Sequence, residues 1–287
     1  MRPSVRRLGS YLGFSALALV LIGATAIVWG ALLYGNLATT PSIPWALPAL
    51  ICVLWIVWRY LGGSGWPQST SLARNRLLRA NPVSGRALGW SIVAGCFGIA
   101  ALAGLWVVLF RLFPMGANPL VPDRFASSPV MVGAIIVGAS LLAPITEESA
   151  VRGYLQSRLE RDLRPSVAVV LSSVVFAIAH ISQGLAWPKL LFYFFVGVLF
   201  GVLALLNNSI LPVIPVHVAG DLTFFLFVWP NDTARTPVSV TGTDAWFWLH
   251  VVQVIAFTAA TIVAMRMLNK TGGPSRRAHT KAAAQAL

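Results

Sequence analysis

Three short motifs in the second half of the sequence carry the side chains best suited to chemistry. They read Glu147-Glu148-x-x-x-Arg152, Phe176-x-x-x-His180 and His217-x-x-x-Asp221. The four-residue spacing of a helix puts both ends of each motif on one face, about 6 Å apart. Carboxylates and imidazoles activate water, transfer protons and ligate metal ions. We therefore predict one site that is assembled from several helices.

Composition identifies the solvent in which this site must lie. Of the 287 residues, 57% are hydrophobic and only 10% are charged, which is too little charge for the surface of a soluble domain. The sequence therefore predicts an integral membrane protein. A charged side chain at the centre of a bilayer costs about 2.5 kcal/mol or more. Adjacent acids at the end of an apolar segment therefore indicate a functional role.

Apolar segments of about 20 residues, the length that spans a bilayer as a helix, predict an all-α bundle of about eight transmembrane helices. The predicted spans are residues 11–34, 44–61, 88–113, 129–147, 166–186, 189–206, 209–229 and 246–268. We divide the chain into three N-terminal spans (1–128), a catalytic bundle of five spans (129–268) and a disordered basic tail (269–287).

The distribution of basic residues predicts the orientation of these spans. With a cytoplasmic N-terminus, 17 of the 21 Lys and Arg residues fall on the cytoplasmic side, and four fall opposite: Arg111, Arg124, Lys189 and Arg235. This asymmetry is the positive-inside pattern of multi-pass proteins. It predicts a cell-membrane protein with both termini in the cytoplasm. The net charge of +13 then faces anionic lipid head groups, and we expect no nucleic-acid partner.

The lengths of the predicted helices bring the motifs to similar depths. Glu147 and His180 are equidistant from a turn at residues 163–166, each about 25 Å from it along a helix axis. An antiparallel hairpin about that turn sets these two side chains side by side. A second turn, at residues 207–209, places His217 about 12 Å into its own span. These positions predict that the site opens toward the cytoplasm.

Helical spacing separates the two adjacent acids by role. Glu148 precedes Arg152 by one turn, the favourable order for an ion pair within a helix. Glu147 points about 100° away from Glu148 and has no such partner in its own helix. A low dielectric favours its neutral form, whereas a nearby imidazole favours its charged form, and this balance suits a general base. We therefore predict that Glu147 activates water.

The three motifs, in this order on successive spans, resemble those of the CAAX prenyl protease and bacteriocin-processing family, also called the CPBP or ABI family. The resemblance covers about residues 129–230, and the first motif is its most specific part. It implies an intramembrane endopeptidase. It also implies that Glu147 and His180 activate water, and that His217 with Asp221 stabilises the tetrahedral oxyanion. The implied catalytic set is Glu147, Glu148, Arg152, His180, His217 and Asp221.

Two features of the mechanism stay open from the sequence. The family is described both as metalloproteases and as glutamate enzymes that need no metal, and a Zn²⁺ ion would find Glu147, His180 and His217 as ligands. The family's last motif commonly ends in asparagine, whereas this chain has Asp221. Ionised aspartate cannot donate to an oxyanion. We therefore expect Asp221 to orient His217 or to ligate a metal.

Two functions of other classes remain open. The chain could be a non-catalytic membrane scaffold or immunity protein, or a transporter that uses Glu147 and the histidines as a proton relay. Under the protease hypothesis, the partner is a membrane-associated or lipidated peptide or protein.

Overall fold

A computed structural model describes residues 3–116 and 128–271 of the protein. Throughout this part of the chain the regular elements are helices. The main ones are α1 (Pro3–Thr39), α2 (Ala46–Leu61), α3 (Ser71–Leu78), α4 (Gly85–Leu112), α5 (Pro129–Glu147), α6 (Ser157–Leu159), α7 (Pro165–Ala179), α8 (Trp187–Asn207), α9 (Val213–Thr223), α10 (Val238–Thr241) and α11 (Ala245–Thr271). The predicted disordered tail (269–287) begins inside α11, which continues to Thr271, and the rest of that tail, like the loop that contains Arg124, lies outside the described residues.

Helices form at all eight predicted spans, which confirms the all-α polytopic bundle. Within the described residues, six helical stretches are long and apolar enough to cross a membrane, and α2 and α7 are shorter apolar helices. One of the six runs from Val213 to Ala234 and combines α9 with a π-helix (Phe224–Val228) and a 3₁₀ segment (Trp229–Ala234). Another runs from Pro129 to Leu159 and carries the acidic motif.

The helix that carries the acidic motif changes its winding at the motif itself. After α5 ends at Glu147, the chain continues as a π-helix over Glu148–Gln156 and then as the last turn, α6. π-Helical segments are rare and occur frequently at functional sites. Every residue of this segment is buried. The wide turn therefore lies inside the bundle, with its polar side chains facing other helices.

The fifth span is shorter than predicted. We expected residues 166–186, but α7 ends at Ala179, His180 caps it, and a 3₁₀ turn (Ile181–Gln183) follows. Gly184, which ends this 3₁₀ turn, has a φ of +126°, a conformation that favours glycine. His180 thus lies at the C-terminal end of α7. The predicted turn before this span is confirmed, since α7 begins at Pro165.

Close helix packing around α8 brings the motifs together. A Cβ atom at Gly197 would lie 2.9 Å from the Cα atom of Ser173, so α7 and α8 meet at backbone distance. On another side, Trp106 of α4 is fully buried and its ring packs edge-on against Phe192 of α8. Its indole N–H donates to Asp232 at 3.0 Å. Small residues and buried aromatic rings thus fix α4, α7 and α8 around the centre of the bundle.

Polar contacts join several helix ends into what we call the basic end, formed by Arg79, Arg158, Glu160, Asp162 and Asn208. Arg79 pairs with Glu160 at 3.0 Å and donates to the side-chain oxygen of Asn208 at 3.0 Å. Arg158 donates to Asp162 at 2.7 Å, and this hydrogen bond lowers the pKa of the Asp162 carboxyl below its ordinary value. Assignment of this end to the cytoplasm stays a prediction, as does the domain division at residue 128.

Candidate active site

Glu147 lies between the two motif histidines. Its Oε1 atom is 3.9 Å from Nε2 of His180, and its Oε2 atom is 3.9 Å from Nε2 of His217. These separations exceed a direct hydrogen bond, but one water molecule can contact both groups across such a gap. Glu147 is only 7% exposed, and its Oε2 atom has no hydrogen-bond partner in the described part of the chain. This is an arrangement in which an acid and an imidazole can share one water.

The partners of the two imidazole rings determine which nitrogen atoms face the acid. Nδ1 of His180 lies 2.8 Å from the backbone oxygen of Phe176. A carbonyl oxygen only accepts, so this Nδ1 carries the hydrogen, and Nε2 of the neutral ring keeps its lone pair. Nδ1 of His217 likewise lies 2.9 Å from Oε1 of Glu148 and donates to that carboxylate. Both Nε2 atoms are thus directed toward Glu147.

Glu148 joins the ion pair to the site. The predicted Glu148–Arg152 pair is present at 3.1 Å, and both side chains are fully buried. The same carboxylate oxygen also accepts from His217, a contact that joins residues 69 positions apart and that spacing within one helix could not predict. We expected Asp221 to orient His217, but its nearest approach is 3.6 Å, to Nε2. The orientation of the His217 ring is set by the hydrogen bond that its Nδ1–H donates to Glu148.

Aromatic rings enclose this ion pair. The guanidinium of Arg152 lies 4.2 Å from the ring centroid of Phe176 and 5.5 Å from that of Phe200. Phe176 also contacts the His180 ring, with the centroids 4.6 Å apart, and Phe200 contacts His217 at 4.4 Å. A cation held over aromatic faces is stabilised without water. The phenylalanine of the second motif therefore both covers the ion pair and contacts the ring of His180.

Tyr193 is a site residue that the sequence analysis did not identify. Its ring stacks on His180 with centroids 4.0 Å apart and an interplanar angle of 21°, and its hydroxyl donates to the side-chain oxygen of Gln183. Tyr193 is buried in the second turn of α8, outside the three motifs. The stacked ring restricts the plane of the imidazole.

The acid of the first motif and the histidines of the other two line one cavity of about 230 Å³. Glu147, His180, His217 and Asp221 all line it, together with Gln183. The rest of its wall is mainly apolar or aromatic and comes from α1, α4, α5, α7, α8 and the α9 segment: Trp29, Ile99, Leu102, Leu142, Phe192, Val196, Phe224 and Trp229 are among these residues. An apolar pocket with a few convergent polar groups is typical of a small-molecule or catalytic site.

The donors do not form a closed metal site in this arrangement. Within residues 3–116 and 128–271, no three His, Cys, Asp or Glu side chains form a group that could hold a metal ion. Each Nε2 atom lies 3.9 Å from a different oxygen of Glu147, somewhat farther than the roughly 3.4 Å between two donors that bind one tetrahedral zinc at 2.0–2.2 Å. The zinc set of Glu147, His180 and His217 therefore stays a prediction, and no step below depends on it.

The fold and this geometry define a class: a polytopic membrane protein with an acid–imidazole site inside its helical bundle. Residues 129–223 match the family model described as type II CAAX prenyl endopeptidase Rce1-like. The matched segment contains all three motifs and confirms the family resemblance stated from them. It supports, at the level of class, an intramembrane protease of the CAAX type. No curated protein and no solved structure shows a significant match to the chain.

Proposed function

We propose that this protein is an intramembrane endopeptidase that hydrolyses peptide bonds of membrane-associated or lipidated peptides with a water activated by Glu147. The observation that carries this proposal is the position of the Glu147 carboxylate between two imidazole Nε2 atoms in a mainly apolar cavity. We infer that the chain works in the cell membrane, with both termini in the cytoplasm.

The proposed reaction uses three groups that line the cavity, Glu147, His180 and His217, with Glu148 bonded to the His217 ring. Glu147 takes a proton from water while the water oxygen attacks the carbonyl carbon of the scissile bond. The resulting oxyanion accepts a hydrogen bond from Nε2–H of a protonated His217. The Nδ1–H group of His217 continues to donate to Glu148. Glu147 then passes its proton to the leaving nitrogen as the C–N bond breaks. His180 holds the water through its Nε2 lone pair, and the products are an amine and a carboxylic acid that keeps the second proton of the water.

The substrate class follows from the cavity and from the bilayer. The wall is mainly apolar, so a peptide with a lipid or apolar side chain can enter without losing hydrogen bonds to water. The matched family description names a prenyl endopeptidase, which makes a peptide with a farnesylated cysteine the first substrate to test. Its unprenylated form is the matched control.

The function is tested by mass spectrometry of membrane peptides from cells that carry the wild type or Glu147→Ala. We expect cleavage products that need Glu147. In parallel, the purified protein in liposomes is assayed with an internally quenched farnesylated peptide. Equal peptide patterns, with both proteins equally abundant, would instead support a scaffold. Flux driven by a proton gradient, without cleavage, would support a transporter.

Metal removal separates the two forms of this mechanism. Because no three donors in the described part of the chain form a group that could hold a metal ion, we expect dialysis against a strong chelator to leave the cleavage rate within about twofold. The measurement is kcat before and after dialysis, with the metal content of the purified protein determined in the same samples. A loss of activity that Zn²⁺ restores would overturn the metal-free form and establish the zinc alternative.

Asp221→Asn should reduce cleavage by about tenfold without abolishing it. The Asp221 carboxylate lies 3.6 Å from Nε2 of His217, where it favours the protonated ring that donates to the oxyanion. The amide removes this charge but can itself donate a hydrogen bond. The measurement is kcat for the quenched peptide. Full activity in the variant would remove Asp221 from the mechanism.

A further inference from the structure

A series of buried polar residues runs from the active site to the basic end at intervals of four residues. Its members are Glu148, Arg152, Gln156 and Glu160. The first three are fully buried. Glu148 contacts His217 and Arg152, and Glu160 contacts Arg79. The acidic motif accounts for the first two members, whereas the mechanism above does not use Gln156 or Glu160.

Arg152 and Gln156 make equivalent contacts with α8. Arg152 donates through NH2 to the backbone oxygen of Gly197 at 3.2 Å. Gln156 donates through Nε2 to the backbone oxygen of Gly201 at 2.9 Å. The two acceptors are also four residues apart, so the π-helix and α8 are joined in register at two successive points. A carbonyl in a helix already accepts one backbone N–H and keeps a second lone pair for such a contact.

The side chain of Gln156 is 0% exposed and makes three hydrogen bonds. Besides the Gly201 carbonyl, its Nε2 donates to Oε1 of Glu160 at 2.9 Å, and its Oε1 accepts from Ser172 of α7 at 3.3 Å. An unpaired polar group costs most in a buried, low-dielectric region. A side chain bonded in this way has one favourable position. That position fixes the π-helix against both α7 and α8.

We propose that Gln156 is a positioning residue for catalysis: its bonds to Gly201 and Glu160 fix the rotation of the π-helix that directs Glu148 toward His217. Glu160, held in turn by Arg79 at the basic end, completes this support. A shift of the π-helix moves the carboxylate that holds Nδ1 of His217, and Nε2 then no longer faces the oxyanion. A displacement of about 1 Å at a catalytic group can reduce the rate by about a hundredfold.

This inference rests on the proposed peptidase activity and is tested with Gln156→Leu in the farnesylated-peptide assay. We expect kcat to fall about tenfold, with KM within about twofold, because the cavity wall is unchanged. Leu155→Met is the matched control: Leu155 is equally buried one position earlier and makes only apolar contacts, so its kcat should stay within about twofold. The kcat values of both variants are compared at equal monodisperse yield, and their thermal unfolding is measured in parallel.

A second variant displaces Gln156 without changing it. A Cβ atom at Gly201 would lie 3.0 Å from Oε1 of Gln156 and 3.1 Å from a methyl of Val169, so Gly201→Ala should lower kcat in the same way. If both variants lose stability but keep wild-type kcat per folded molecule, Gln156 has only a structural role and the inference is wrong. If Glu147→Gln is as active as the wild type, the proposed function itself fails.

Discussion

Glu147→Gln is expected to reduce kcat for peptide cleavage by about a thousandfold or more while the protein remains folded. General base catalysis alone contributes about 10²–10⁴-fold, and among the described residues Glu147 is the carboxylate that lies between the two imidazole rings. The amide keeps the size of the side chain but cannot take a proton from water. The measurement is cleavage of the quenched farnesylated peptide by purified protein in liposomes.

Asp162→Asn is the matched control for this prediction. It makes the same carboxylate-to-amide change at the basic end, where Asp162 contacts Arg158 and Tyr11, and its kcat should stay within about twofold. Thermal unfolding of both variants separates lost chemistry from lost folding. Activity of Glu147→Gln within tenfold of the wild type would rule out Glu147 as the base.

Arg152→Leu is expected to destabilise the fold by about 3–5 kcal/mol, because it leaves a buried charge without its partner. Glu148 is 0% exposed and lies 3.1 Å from the guanidinium, and the change also removes the donor to the Gly197 carbonyl. The measurement is thermal unfolding in detergent together with the yield of monodisperse protein. Arg158→Leu, at the more exposed pair with Asp162, should change stability by about 1 kcal/mol or less.

A double variant separates the structural part of this ion pair from its catalytic part. Glu148→Leu with Arg152→Leu removes both charges and should recover most of the lost stability. It should not recover cleavage, since His217 then has no acceptor for Nδ1–H. Stability of the double variant no better than that of Arg152→Leu would show that the uncompensated charge is not the source of the loss.

The all-α architecture, and the proximity of Glu147 to His180 and His217, could be predicted from the sequence. Apolar segments of bilayer length predicted the spans, because the absence of water forces backbone groups into helices. The turns that precede α7 and α9 were predicted from Pro165 and from the asparagines at 207 and 208, and Asn208 adopts the left-handed conformation there. Equal helix lengths on each side of the first turn correctly suggested that Glu147 and His180 would lie near one another.

The partners within the site depended on helix rotation, which spacing along one helix does not determine. The contact of Glu148 with His217 and the stacking of Tyr193 on His180 arise from how α8 and α9 turn toward the π-helix. A regular α-helical period gives no indication of that wider turn. The early end of α7 at Ala179 and the 3₁₀ turn that follows it could not be predicted, because composition alone favoured continuation of the apolar span.

The short length of α7 has a consequence for how an imidazole is held in an apolar layer. Fifteen residues extend about 22 Å as an α-helix, less than the hydrocarbon thickness of about 30 Å. The backbone oxygens near the C-terminal end of α7 are nevertheless bonded within the protein: that of Phe176 accepts from the His180 ring, and those of Ala177 and His180 accept from backbone N–H groups. The chain can therefore end a helix short of the bilayer thickness without leaving these carbonyl groups unpaired where lipid offers no donors.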